Sequence, residues 1–328
     1  MMTGIEASGL PASELKKISG EYAKNFKEPE YFDFENHEIK YYEFSPKQDL
    51  ISQKPIIFIG GFGKDAGAYQ KEILKLVISG RKVIFVNPLY GIKIKNKSSL
   101  FEERGNMKDL PEVIKNKTNE LLAVVQHLNI ENADVVGHSQ GGVLGTVLAT
   151  ALPNLVDKLI LLNPAGLYGK DSTIGLIKRS LKEKEELKLA ISNELDKDKK
   201  QKMQNHAQTH NKYYEGRKYK LFRLLKEIPG LVKMNLLLLL YDIHTHGKTQ
   251  VSLVTSNKDA TFPTKIVEDN LGGFAKRQGK EHLAGELFEY VDRYVMHSDE
   301  NALHNYENGE LLEQILNEGL EKGIGKQK

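Results

Sequence analysis

The chain has 328 residues and a formal net charge of +3, with 40% hydrophobic and 28% charged residues and no cysteine. That length suffices for one large α/β domain with an insertion, and the small net charge does not argue for nucleic acid. The missing cysteine excludes a disulfide framework, a thiol nucleophile and thiolate metal ligation.

Met1–Lys17 lacks the basic start and apolar stretch of a signal peptide. The longest apolar run, Leu236–Tyr241 within Leu231–Ile243, falls well short of the ~20 residues that cross a bilayer. A cytoplasmic protein is therefore expected. Charge is uneven, since Lys170 to Lys248 holds 18 Lys and Arg against 10 Asp and Glu. Such a stretch is either a solvated helical surface or a face for anionic substrate or lipid headgroups.

In chain order, His37–Phe44 reads as a half-exposed strand and Pro55–Ile59 as a buried one. Tyr69–Ile78 carries apolar residues at helical spacing, and Arg81–Asn87 repeats the buried-strand pattern. Asp109-Leu110-Pro111-Glu112 reads as a helix start with Asp109 as the cap, ahead of Leu121, Leu122, Val125 and Leu128. Asp134-Val135-Val136 is a strand, and Val143, Leu144, Val147 and Leu148 are spaced for the helix after it. Lys158–Leu162 and Val251–Thr255 are two more buried strands, and the gap between them is too long for a single crossover helix. Its Lys, Glu, Leu and Gln content, broken at Pro229-Gly230, predicts helices. The expected organisation is a core of residues 1–165 and 249–328 with a helical cap inserted at 166–248. Gly285–Val295 and Leu311–Leu320 read as helices. Alternating strands and helices predict the α/β class, with a mainly parallel, doubly wound sheet whose strand carboxyl ends hold the site.

The stretch Gly137-His138-Ser139-Gln140-Gly141-Gly142 sets a serine between small residues on a strand-to-helix turn. A nucleophile held in a strained backbone there leaves no room for side chains two residues either side, and Gly137 and Gly141 meet that demand. A serine hydroxyl needs a base, and the base an orienting group. Asp259 follows a buried strand directly, at the same edge of the sheet; its alternative role is to cap a turn before Pro263. Among the histidines, His37 and His127 precede the motif, His138 adjoins the serine, and His206, His210, His244 and His246 fall in the expected cap. Of the remaining three, His282 lies in a glycine-containing loop ahead of the amphipathic Leu287–Val295 segment and is the expected base. His297 and His304 follow that segment, where an intervening helix would carry the chain away from the active face.

The order Ser139, Asp259, His282 resembles that of α/β-hydrolases. From about Pro55 to Val295 the chain resembles that fold superfamily in its capped form, and the Gly-His-Ser-Gln-Gly-Gly turn is similar to that of many esterases, lipases and related acyl hydrolases. The resemblance implies an oxyanion hole made of the backbone N–H groups of Gln140 and Phe62. The family usually has His-Gly ahead of the second donor, and Gly60 stands here instead, removing a side chain that helps to hold the loop. A serine nucleophile disfavours the dehalogenase and epoxide hydrolase branches. Ester, thioester, lactone, amide and carbon–carbon hydrolysis stay open, as does the oligomeric state.

The expectation is a cofactor-free serine hydrolase acting on a small-molecule acyl substrate. Leu231-Val232 and Leu236–Leu240 either pack the cap on the core or line a pocket for an apolar acyl chain, with lipid-surface contact through the basic stretch. The lean is towards carboxylic esters. A lyase or haloperoxidase-like enzyme, or a catalytically silent binding protein, is the alternative. Gly60–Lys64 lacks the spacing of a nucleotide loop, and His206-Ala207-Gln208-Thr209-His210 lacks the glutamate of a zinc-protease motif, so no metal is expected.

Overall fold

The computed structural model describes residues 18, 20–47, 50–88, 92, 107–167, 173–197, 200, 201, 204, 227–256, 291–296 and 316. Eight strands, β1 (Glu30–Phe34), β2 (His37–Phe44), β3 (Ile56–Ile59), β4 (Val83–Val86), β5 (Ala133–His138), β6 (Val156–Leu162), β7 (Gln250–Ser256) and β8 (Asp292–Met296), form one sheet in the order β1-β2-β4-β3-β5-β6-β7-β8. The β1–β2 and β2–β4 pairs are antiparallel. From β4 to β8 every pairing is parallel. Among the described residues the longer helices are α1 (Gln70–Ile78), which follows a 3-10 turn at Ala66–Tyr69, then α2 (Glu112–His127), α3 (Gln140–Ala151), α4 (Thr173–Asn193) and α5 (Leu236–His246).

The unbroken apolar strands feed two cores, because successive side chains leave a strand on opposite faces. Ile57 and Ile59 of β3, Ile84 and Val86 of β4, and Leu159 and Leu161 of β6 join one cluster with residues of α2, α3 and α5. Their strand neighbours Ile56, Phe58, Val83, Phe85, Ile160 and Leu162 join the other, with α1 and Leu316. Helices thus cover both faces of a doubly wound sheet, as the sequence led one to expect.

Strand order fixes where a site can form. The chain leaves β3 for β4 on one side and returns to β5 on the other, so the carboxyl ends of β3 and β5 flank the switch point of the sheet, where a crevice opens in such folds. The loop after Ile59 and the turn at Ser139 sit at those two ends.

Two expectations are corrected. Helix α2 is capped by Pro111 in an extended conformation with no side-chain cap; proline is pre-set for a helix start and has no N–H to satisfy, so Asp109 plays no capping part. Residues Asp292–Met296 are a strand paired parallel to β7, where a helix over Gly285–Val295 was expected. Short apolar runs do not separate the two states by periodicity, and the open edge of β7 decided this one. Residues 285–290 of that expected helix lie outside the described residues, as does Leu311–Leu320 apart from the helical Leu316. Helix α5 falls in the expected cap, and its Leu236, Leu237, Leu239 and Leu240 are buried in the core cluster beside α3. The packing alternative for the leucine run therefore holds. Among the described residues no helix is long and apolar enough to cross a membrane.

One buried acid makes the fold sensitive to pH. Burial pushes the Glu72 carboxyl on α1 up from 4.5 to about 8, and its Oε1 has no hydrogen-bond partner. The folded chain thus keeps a proton that the unfolded chain releases above 4.5, so this group costs stability as pH rises from 4.5 to about 8. Glu72→Gln should match the wild type in thermal melting at about pH 5 and melt higher at about pH 9. Parallel melting curves across that range would mean that the carboxyl does not titrate as described.

Candidate active site

The backbone of Ser139 is at φ 53°, ψ −114°, a region that a side chain with a β-carbon enters at a cost of order 1–3 kcal/mol. Both of its backbone groups are tied down. The Ser139 N–H donates to the Leu162 carbonyl at 3.0 Å, and the Ser139 carbonyl accepts from the N–H groups of Gly142 and Ala165, each at 3.1 Å. The end of β6 thus braces the turn between β5 and α3. From Ala133 to Ala151 every residue is buried except Ser139, which is half-buried.

The flanking glycines are required by contact. A β-carbon on Gly137 would lie 2.5 Å from the Gly141 carbonyl oxygen, and one on Gly142 would lie 2.7 Å from Pro164 Cβ. A β-carbon on Gly141 would collide with the Ile59 carbonyl oxygen, so the first turn of α3 rests directly on the end of β3. The loop expected to supply the second donor therefore begins against the nucleophile turn.

That loop is held by groups the sequence reading did not single out. The Gly61 N–H donates to the Tyr69 hydroxyl at 2.6 Å, leaving the hydroxyl proton available to His138 Nδ1, 2.8 Å away. Tyr69 is fully buried among Phe58, Phe85 and His138. From the end of β4, Asn87 Nδ2 donates to the carbonyls of Gly61, at 3.2 Å, and Lys64. A side chain at Gly60 has no room, since a β-carbon there would stand 2.8 Å from Phe85 Cζ. The loss of the usual histidine is thus offset by a tyrosine, an asparagine and the histidine beside the serine.

Both expected oxyanion donors sit in this frame. Gln140 is buried at the first position of α3, where free N–H groups gather and the helix dipole favours negative charge. Among the described residues, the Phe62 N–H makes no backbone hydrogen bond. Lys117 Nζ lies 5.8 Å from the Phe62 ring centroid. Asp259, His282, His297, His304, His206 and His210 lie outside the described residues, so Ser139, Phe62 and Gln140 are the expected site residues the structure brings together. Among the groups missed, Lys117 had a legible signal: it falls between Ile114 and Leu121 on a buried stripe of α2, where a lysine needs a partner.

Tyr69→Phe strands a buried N–H and a buried imidazole nitrogen, which should cost about 1–3 kcal/mol of stability. It should also speed hydrogen exchange of the Gly61 amide. Unchanged exchange would show that another group holds the loop.

Comparison with known proteins places this frame. The family model for the alpha/beta hydrolase fold matches residues 54–224, just over half of the chain. Among solved structures, a carboxylesterase of the thaumarchaeon Nitrososphaera gargenis is similar at 17% identity and a TM-score of 0.57, over 90% of this chain and 100% of that one. The enol-lactonase from Burkholderia xenovorans matches at 14% and 0.57, over 89% and 100%. A bromoperoxidase from Bacillus anthracis matches at 14% and 0.54, over 90% and 99%. The dihydrolipoyllysine-residue acetyltransferase component of an acetoin cleaving system from Pseudomonas putida is 29% identical over 113 residues, 34% of this chain and 27% of its own length; the match spans about a quarter of that relative. Sheet order, strained serine and family match agree, and the chain belongs to the alpha/beta hydrolase fold family.

Proposed function

We propose that the protein is a serine hydrolase that cleaves a carboxylic ester or related acyl bond. The observation that carries this reading is Ser139, strained at positive φ and the one residue not buried between Ala133 and Ala151. In the proposed reaction Ser139 Oγ attacks the acyl carbonyl while a histidine takes its proton. The charge that forms on the carbonyl oxygen is received by the N–H groups of Phe62 and Gln140, each such donor being worth roughly 3–4 kcal/mol in the transition state. Collapse expels the alcohol, which regains the proton from the histidine, and water then resolves the acyl-enzyme by the same steps. Asp259, three residues beyond β7, is the proposed orienter. Residues 166–248 are the proposed cap, less α5, whose leucines are spent in the core.

His282 is the base in the first form of this reading. A second form is favoured by β8. The sequence argument against His297 and His304 depends on a helix before them, but the chain leaves β8 at Met296, at the carboxyl edge that carries Ser139. The criterion that selects Asp259 after β7 applies equally to the residues that follow Met296, with His297 the first of them and His304 the eighth.

A fluorophosphonate probe should label the wild type and leave Ser139→Ala unlabelled; equal labelling of the two would sink the serine hydrolase reading. In the set His282→Ala, His297→Ala and His304→Ala, one variant should lose about a thousandfold or more in turnover of a nitrophenyl ester while remaining folded. That variant names the base, and three active variants would exclude all three histidines. Rates on nitrophenyl esters of increasing chain length then define the acyl group, and no gain beyond acetate would count against an apolar acyl pocket.

A further inference from the structure

A buried ion pair connects the β6–β7 excursion to the residues of the proposed oxyanion hole. Glu227 begins the described part of a helical stretch, 227–232, and its Oε2 lies 2.7 Å from Lys117 Nζ on α2. Gln140 completes a triangle. Its Oε1 accepts from Lys117 Nζ at 3.0 Å, and its Nε2 donates to Glu227 Oε2 at 3.2 Å. Lys117, Gln140 and Glu227 are 1%, 1% and 4% exposed. Buried charges persist only where geometry and added hydrogen bonds offset their desolvation, and an amide, with both donor and acceptor, can serve both members of the pair.

The same lysine lies beside the Phe62 ring. The pair thus touches the side chains of both residues whose N–H groups would stabilise the oxyanion. A separate observation shows how closely the excursion sits on α2. Gly230 follows Glu227 by about one helical turn, and a β-carbon on it would lie 2.5 Å from Val113 Cγ1 and 3.5 Å from Pro111 Cβ. Ile228 and Leu231 of the same stretch enter the core cluster.

We infer that Lys117 and Glu227 are positioning residues for the oxyanion hole, and that the hole is in register only while 227–232 is seated on α2. The inference rests on the reading of Ser139 as a nucleophile. Displacing the stretch removes Glu227 from Lys117 Nζ and from the Gln140 side-chain amide at the first turn of α3. A chain with an unseated excursion would keep its serine and lose its transition-state stabilisation.

The test compares second-order labelling by the fluorophosphonate and nitrophenyl acetate kinetics for wild type, Glu227→Gln, the double variant Lys117→Met/Glu227→Met, and Gly230→Val. Glu227→Gln keeps the shape and drops the charge. The double variant replaces the pair with apolar side chains, a change that buried pairs often tolerate in stability. Gly230→Val lifts the stretch off Val113 while leaving both charges in place. Labelling and kcat should fall roughly tenfold to a hundredfold, less than the loss of a whole oxyanion donor, with KM little changed. A purely structural pair would lower the melting temperature and leave kcat intact. Wild-type labelling in Glu227→Gln or in the double variant, with the fold verified by circular dichroism, overturns the inference while the nucleophile stands. Absence of Ser139-dependent labelling in the wild type overturns the underlying reading instead.

Discussion

Ser139 can hold its strained backbone because the spaces that β-carbons of Gly137, Gly141 and Gly142 would fill are already occupied by backbone atoms and Pro164. The approach of Gly141 to the Ile59 carbonyl is the tightest of these, and it joins the end of β3 to the first turn of α3. Everything at the site inherits its position from that contact. It brings the loop after β3 against the nucleophile turn, sets the serine at the switch point of the sheet, and leaves the start of α3 facing the crevice. The strain is carried by the hydrogen bond that the Ser139 N–H donates to the Leu162 carbonyl at the end of β6 and the one its carbonyl accepts from the Ala165 N–H just beyond, so three adjacent strands share the load of one residue.

The polar groups behind the site form two supports of different kinds. One is neutral and local: Gly61, Tyr69 and His138 pass hydrogen bonds from the loop to the nucleophile turn, while Asn87 ties the loop to β4. Its members lie on elements fixed by the sheet, so it is as rigid as the core around Phe58 and Phe85. The other is ionic and spans a larger distance in sequence, running from Lys117 through Gln140 to Glu227. Breaking a buried pair on one side costs more than removing both partners, so the members of this second support depend on one another. The first support sets the loop, and the second links it to the segment inserted between β6 and β7.

Several elements were legible because they repeat a local rule. The four-residue apolar runs at β3 and β4 read as buried strands because they are short, rich in β-branched residues and flanked by glycine and proline, and the glycine spacing around Ser139 announced the strained turn. The leucines of α5 were visible too, but their destination was not, since an apolar stripe packs equally well on a core or around an acyl chain. The segment at β8 misled because Leu287 to Val295 suits both periods, and only the unpaired edge of β7 chose the strand. That choice matters to the chemistry, since it ends β8 at Met296 on the carboxyl edge that carries Ser139.

The amino-acid sequence by itself determined the α/β class, the buried strands, the serine turn and the likeness to the hydrolase fold, because each depends on residues close together in the chain. Only the tertiary structure decided what replaces the missing loop histidine, where the leucine run packs and which glutamate meets Lys117. Those outcomes depend on residues such as Tyr69 and His138, or Gln140 and Glu227, that lie far apart in sequence and meet through the order of strands in the sheet. A lysine on a buried stripe announces that a partner exists, and the fold alone selects it.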